Sequence, residues 1–304
     1  MPHPPHEVPA PAPRSVTPRP VWALAPVILG LAGLLFAPVQ GGPGAPATGA
    51  AAASEPTGAG GAATTAVTRV IHDGPRTVAC ADTTPDCDAW ADALRDAERI
   101  LDPVLPDHSA LPTVLDVPTP AGQQALTGAG PVRPAATTLL ITDTMVDDHL
   151  ATPDALGQVR IVANPDVASA DRVEVLVHEL VHLRTDAPRW SGAIWVEEGY
   201  AVALTWRAMA AAGLSPRIVP DPGPGPEHGD GDGDRIGPEA AFPSGEWMPA
   251  TTADYARAGL LVRRAVDAWG QDGVARWYAA VASGTSPAEA APAGMTDGDT
   301  RGGH

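Results

Sequence analysis

Two imidazoles and a carboxylate crowd into the five residues His178-Glu179-Leu180-Val181-His182. On an α-helix, side chains at i and i+4 lie on one face, so His178 and His182 can offer ring nitrogens to a single metal ion. Glu179, one step round from the first ligand, is placed to take a proton from a water molecule polarised there. The competing reading is a core helix with two satisfied histidines. Against it, two histidines and a glutamate are each costly to bury without partners. The flanks are those of a buried helix: Val173, Leu176, Val177, Leu180, Val181 and Leu183 make it apolar on most sides. Asp171, three residues before Glu174, reads as an N-cap with a capping-box partner, and Thr185, Asp186 and Pro188 end the helix.

A tetrahedral catalytic zinc needs a third protein ligand and an open position. The segment Trp195-Val196-Glu197-Glu198-Gly199-Tyr200-Ala201 carries a candidate. With it, the chain resembles the gluzincin metallopeptidases, in which a second helix bears a W-x-x-E-G-aromatic-A motif whose glutamate binds zinc. The match is closest to the small peptidase MA-like domains of secreted or membrane-anchored bacterial proteins, and loosely spans Arg160 to Tyr278. The resemblance implies a thermolysin-like catalytic domain in which one Zn2+ is held by His178, His182 and Glu198, with Glu179 as general base. Glu197, about 100° round the helix from Glu198, then points elsewhere, as a solvated carboxylate or one standing behind a ligand.

Two further expectations come with the family. In its aminopeptidase branch a tyrosine at the head of a Y-x-K-G segment donates to the oxyanion. Tyr255-Ala256-Arg257-Ala258-Gly259 is similar, with the glycine one place late and arginine for lysine, and so implies Tyr255 as a catalytic donor. The strand before the zinc helix, residues 157–165, would be the sheet edge that pairs with a bound peptide. The G-x-M-E-N element that recognises free N-termini in those aminopeptidases is absent from the sequence, which leaves exopeptidase activity unsupported.

The elements that must position these residues occupy only part of the chain. The 304 residues include 35 prolines and 32 glycines, which suggests one core domain with disordered ends. Residues 1–20 are proline-rich and read as a disordered cytoplasmic N-terminus. Residues 21–39 form an uncharged apolar run preceded by Arg14 and Arg19, with no arginine or lysine after it until Arg69. That asymmetry places the chain beyond residue 39 outside the membrane. The run's length suits either a signal anchor, as a single transmembrane helix in the cell membrane, or a signal peptide. In the second case Ala45-Pro46-Ala47 resembles a cleavage site and the protein is secreted. Residues 40–66 are a Gly/Ala/Pro linker too poor in large apolar side chains to fold. The metallopeptidase-like domain is expected over 67–284, and 285–304 as a disordered tail. A net charge of −17 argues against a nucleic-acid partner.

Within the domain, Thr68–Ile71 and Arg76–Ala79 read as a hairpin about Asp73-Gly74. Cys80 and Cys87 are the only cysteines, and a close pair in an exported domain reads as a disulfide. Trp90, Leu94, Ala97 and Leu101 recur at helical spacing within residues 84–104. Leu111–Val117 and Thr137–Thr142 read as strands, with a weak helix near Gln123–Leu126. A ligand helix is expected over Ile194–Ala212, and two amphipathic helices over Thr252–Trp269 and Asp272–Ala282, parted at Gly270. Between them, Asp230, Asp232 and Asp234 mimic a calcium loop. Arg235 stands where its glycine should be and the twelfth-position glutamate is missing, so a solvated acidic loop is expected, with His228 in its mobile part. The expected fold is α+β: a small mixed or antiparallel sheet packed on a mainly helical zinc-binding half, with tryptophans furnishing much of the core.

The function these readings imply is zinc-dependent hydrolysis of a peptide or protein substrate outside the membrane. An inactive peptidase-like binding module is the first rival, and retention of both histidines, Glu179 and Glu198 speaks against it. A zinc hydrolase of a non-peptide amide such as cell-wall material is the second, and the motif does not separate it from a peptidase.

Overall fold

A computed structural model describes residues 67–292, apart from 85, 107–112, 129–133, 149, 223–241 and 244. The segment 21–39, the linker and the calcium-like loop with His228 lie outside the described residues. Among those described, no helix is long and apolar enough to cross a membrane.

The chain opens with a hairpin of β1 (Val67–Asp73) and β2 (Arg76–Ala81). Gly74 turns it at a positive φ of 59°, a conformation open to glycine at no steric cost. Helix α1 (Cys87–Leu101) comes next and buries Trp90, Leu94, Ala97 and Leu101, the stripe its spacing predicts. Its first residue is tied back to β2 by the Cys80–Cys87 disulfide, with Cα atoms 6.1 Å apart. Arg76 on β2 pairs with Glu98 on α1. Strand β3 (Thr113–Val117), helix α2 (Pro120–Thr127), β4 (Ala136–Leu140), the short α3 (Asp143–Asp147) and β5 (Val159–Ala163) complete the first half.

The sheet order is β1-β2-β3-β5-β4. The outer pairs β1/β2 and β4/β5 are antiparallel, while β2/β3 and β3/β5 are parallel. The fold is therefore mixed α+β with a five-stranded mixed sheet, as the sequence led us to expect. One expectation fails here. Strand β5, within residues 157–165, is not an edge: it is paired with β3 on one side and β4 on the other. Among the described residues the outer strands are β1 and β4, and on this side of the sheet β4 takes the edge that β5 would otherwise offer.

Helix α4 (Arg172–Arg184) packs against α1, α5, β4 and β5, so it is enclosed on most sides. The capping box expected at its start does not form. Asp171 makes no side-chain cap, because Glu174 is turned away from it to accept the backbone N–H groups of Arg217, Ile218 and Val219 at 2.6, 3.0 and 3.2 Å. A capping box does open α6 (Thr252–Ala282), between Thr251 and Asp254.

Helices α5 (Ile194–Ala211) and α6 share the most extensive helix–helix interface in the structure. Gly270, at φ 69° and ψ 170°, breaks α6 into the two expected segments. Glycines from both helices allow the close approach. A Cβ on Gly199 would lie 2.6 Å from the carbonyl oxygen of Ala258, and one on Gly259 would lie 2.5 Å from Val202 Cγ1. The glycine of the α5 motif and the displaced glycine after Tyr255 are thus the two reciprocal contact points of one crossing.

The ordered chain runs past residue 284, the expected end of the domain. Ser286 caps a four-residue helix α7 (Pro287–Ala290), and Trp277 Nε1 donates to the Pro287 carbonyl at 2.8 Å. Tryptophan does fill the core: Trp90, Trp195 and Trp277 are among the largest fully buried side chains, and Trp195 and Trp277 stack with Phe242.

Candidate metal centre

Helix α4 presents His178 and His182 one turn apart on the face toward α5, which presents Glu198. His178 Nε2 lies 3.1 Å from His182 Nε2 and 3.2 Å from Glu198 Oε2, and His182 Nε2 lies 3.4 Å from the same oxygen. All three residues are buried, and among the described residues they form the one group of this kind that could hold a metal ion. The triangle can be tested against metal geometry. Donors about 2.0–2.1 Å from a tetrahedral ion stand roughly 3.3–3.4 Å from one another, close to the three separations observed.

The charges of the pocket act on one another. Burial opposes ionisation of Glu198, yet the two imidazoles hold it well below the usual carboxylate range. Burial also works against a charged His182, but Glu198, Glu197 and Glu179 together raise it to about 10. Burial pushes Glu197 up to about 8, with His182 opposing and the other two carboxylates adding to the rise. Three carboxylates and two imidazoles thus share one buried pocket, and each biases the ionisation of the others.

Glu179 comes off α4 one step round from His178 and is 3% exposed. It is held from the sheet: Thr138 Oγ1 on β4 stands 2.8 Å from Glu179 Oε2 and 3.0 Å from the Glu179 carbonyl oxygen. The hydroxyl has one proton to donate, so one of these acceptors receives it at a time. Tyr255, on the first turn of α6, lines the same cleft, and its ring centroid is 6.5 Å from that of His178. Burial raises its phenol well above the ordinary value, and Glu198, Glu179 and Glu197 push in the same direction. Its hydroxyl is therefore a neutral hydrogen-bond donor.

The cleft is lined by these groups together with Pro134 and β4 residues Ala136, Thr137 and Thr138. The free sheet edge therefore borders the metal-ligand triangle. Behind His178 and Glu179 lies a second, small space walled by Val175, Val202, Trp206, Ile218 and Val219. Glu174 is part of its wall, but its oxygens are taken by the segment 217–219.

The structure brings His178, Glu179, His182, Glu198 and Tyr255 together, and Cys80 and Cys87 lie apart from them in their disulfide. Tyr200 and Tyr278 are packing residues, with ring centroids 4.2 Å apart. Thr138 and the apolar cavity were not legible, whereas Glu197 stands behind His182, one of the two places the sequence offered it. Thr138 carries no local signal, being a threonine on a strand forty-one residues before the glutamate it holds. Compared with known proteins, the chain matches no family model, no curated protein and no solved structure.

Proposed function

We propose that this protein is an extracytoplasmic zinc peptidase of the gluzincin type, with a thermolysin-like catalytic domain. The observation that carries this reading is the triangle of His178 Nε2, His182 Nε2 and Glu198 Oε2, with the Glu179 carboxylate in the same cleft. Two imidazoles and one carboxylate are a catalytic zinc donor set, closed enough to hold the ion and open enough to leave it a free position. When bound, zinc supplies Lewis acidity toward the scissile carbonyl and toward water.

The chain's own residues do the rest. Glu179 accepts the proton of the attacking water and hands it to the departing amine nitrogen. Thr138 holds one oxygen of that carboxylate, so the other is left for the proton. Tyr255 donates its hydroxyl proton as a hydrogen bond to the oxygen that gains charge during attack. The free edge of β4 offers backbone N–H and C=O groups to an extended peptide. The space behind His178 and Glu179 receives an apolar side chain adjoining the scissile bond. Residues 21–39 keep the domain at the outer face of the membrane or direct its secretion.

The test is metal analysis of the purified full chain, followed by hydrolysis of a peptide library before and after chelation. One zinc per chain is expected, with cleavage lost on chelation and restored by zinc. A zinc-loaded chain that cleaves no peptide but opens other amides would move the reading to the non-peptide hydrolase.

A further inference from the structure

Helix α5 carries two successive glutamates, and both reach the same imidazole. Glu198 Oε2 lies 3.4 Å from His182 Nε2, and Glu197 Oε1 lies 3.5 Å from His182 Nδ1. Neighbours on a helix diverge by about 100°, so the two carboxylates approach the ring from opposite sides. His182 Nδ1 is fully enclosed and makes no hydrogen bond. The Glu197 side chain is 12% exposed, so its carboxyl group also lacks the solvation water would give. A buried ring nitrogen without a partner and a buried carboxylate beside it are complementary: Nδ1–H is a donor and the carboxylate is an acceptor.

We propose that Glu197 is a positioning residue for the metal centre, accepting a hydrogen bond from His182 Nδ1. The proposal rests on the metal reading above and adds a residue to it. With the proton fixed on Nδ1, the lone pair of His182 is fixed on Nε2, facing His178 and Glu198. The ring cannot adopt the other tautomer, in which Nε2 carries a proton and no ligand is presented. A carboxylate on the outer nitrogen also makes the imidazole a stronger donor at the inner one. At 3.5 Å the pair stands at the outer limit of a hydrogen bond. Glu197 is thereby neither a fourth ligand nor a solvated surface acid.

The same contact explains why a glutamate suits this position. A shorter acid on the same turn would fall short of Nδ1, and an amide would accept the hydrogen bond without the charge. Loss of such an outer partner lowers metal affinity by about 10–100-fold.

The experiment measures zinc affinity of the full chain by competition with a chromophoric chelator, for wild type, His178→Ala, Glu197→Gln and Glu197→Ala. The expected order is a small loss for Glu197→Gln, about 10–100-fold for Glu197→Ala, and a larger loss for His178→Ala. Nitrogen-15 spectra of the zinc-bound wild type should show His182 protonated at Nδ1 and unprotonated at Nε2. Thermal unfolding of the zinc-free variants guards against a folding defect: the proposal expects Glu197→Ala to unfold near wild type without zinc and well below it with zinc. Zinc affinity of Glu197→Ala within twofold of wild type overturns the proposal and leaves the metal reading standing. A wild type that binds no zinc, or a His178→Ala variant that binds it as well, overturns the metal reading and this inference with it.

Discussion

Two cavities share the wall made by His178 and Glu179, and they treat their polar groups in opposite ways. In the apolar one, the polar side chains that it does not share with the cleft are satisfied by backbone. Glu174 accepts three N–H groups, and Thr205 Oγ1 donates to the Ala201 carbonyl at 2.8 Å. In the polar cleft, imidazole nitrogens and carboxylate oxygens face one another at 3.1–3.4 Å. A buried polar group ordinarily finds a partner. In one cavity the partners are backbone groups; in the other they are chiefly one another, with His182 Nδ1 left unpaired, and that mutual triangle is where a cation would fit. The apolar space is lined by Val175, Val202, Trp206, Ile218 and Val219, and the cleft by ionisable groups.

The largest effect separates ligand from base within the cleft. His182→Ala should lose zinc and activity together. Glu179→Gln should keep zinc, because Glu179 is not in the triangle, and lose on the order of 10²–10⁴ in kcat. Metal content and turnover measured on the same preparations decide it. Equal zinc loss in the two variants would remove Glu179 from the role of base and make the cleft a binding site only.

Tyr255→Phe tests the far side of the cleft. Burial and three neighbouring carboxylates keep its phenol protonated, so the substitution removes a hydrogen-bond donor without altering charge. Loss of one oxyanion donor costs about 10²–10³ in kcat. kcat and kcat/KM should fall together with zinc content unchanged. Wild-type turnover would return Tyr255 to the core, where its burial would need no catalytic explanation.

The apolar cavity is probed by filling it. Ile218→Phe places a larger side chain at the wall without touching the triangle. Zinc should bind as in wild type, while selectivity shifts from bulky toward small side chains, by about 10–100-fold in kcat/KM ratios. Unchanged selectivity across a peptide library would show that substrate side chains do not enter this space.

The range of each interaction decides whether the sequence reveals it. The helix α4, its histidines and Glu179 are set by a spacing within one helical turn, and Glu198 by a short motif on a single helix. The disulfide joins residues seven apart. These are local and were legible. The exchange of sheet edge between β5 and β4 is a matter of strand order, which depends on pairings distant in sequence. Glu174 was read as a cap because its sequence neighbour, Asp171, suits one. A segment forty-three residues or more away offers it three N–H groups, and the stronger set of partners wins. The glycine displaced after Tyr255 looked like a departure from the family pattern. In the structure it is the seat of Val202 and Trp206 at the α5–α6 crossing, a requirement of packing that no motif states. Gly199→Ala would wedge the same crossing against Ala258 and should lower stability by about 1–3 kcal/mol in thermal or denaturant unfolding.

The smallest expected effect concerns the wall the two cavities share. Thr138 reaches Glu179 from the sheet, and its hydroxyl can serve either the carboxylate or the carbonyl of that residue. Valine has nearly the same shape and no proton to donate, so Thr138→Val removes the hydrogen bond and leaves the packing. A hydrogen bond to a charged group is worth about 1.5–3 kcal/mol, but this threonine is only partly buried, which places the effect near the lower value. That corresponds to roughly a tenfold loss. The loss should appear in kcat, because the hydroxyl orients the base and not the substrate, and zinc content should stay at one per chain. A loss confined to KM would mean that Thr138 contacts the bound peptide as part of the β4 edge. A stability loss with kcat intact would mean that the hydroxyl serves the Glu179 carbonyl, holding α4 to the sheet without steering the carboxylate.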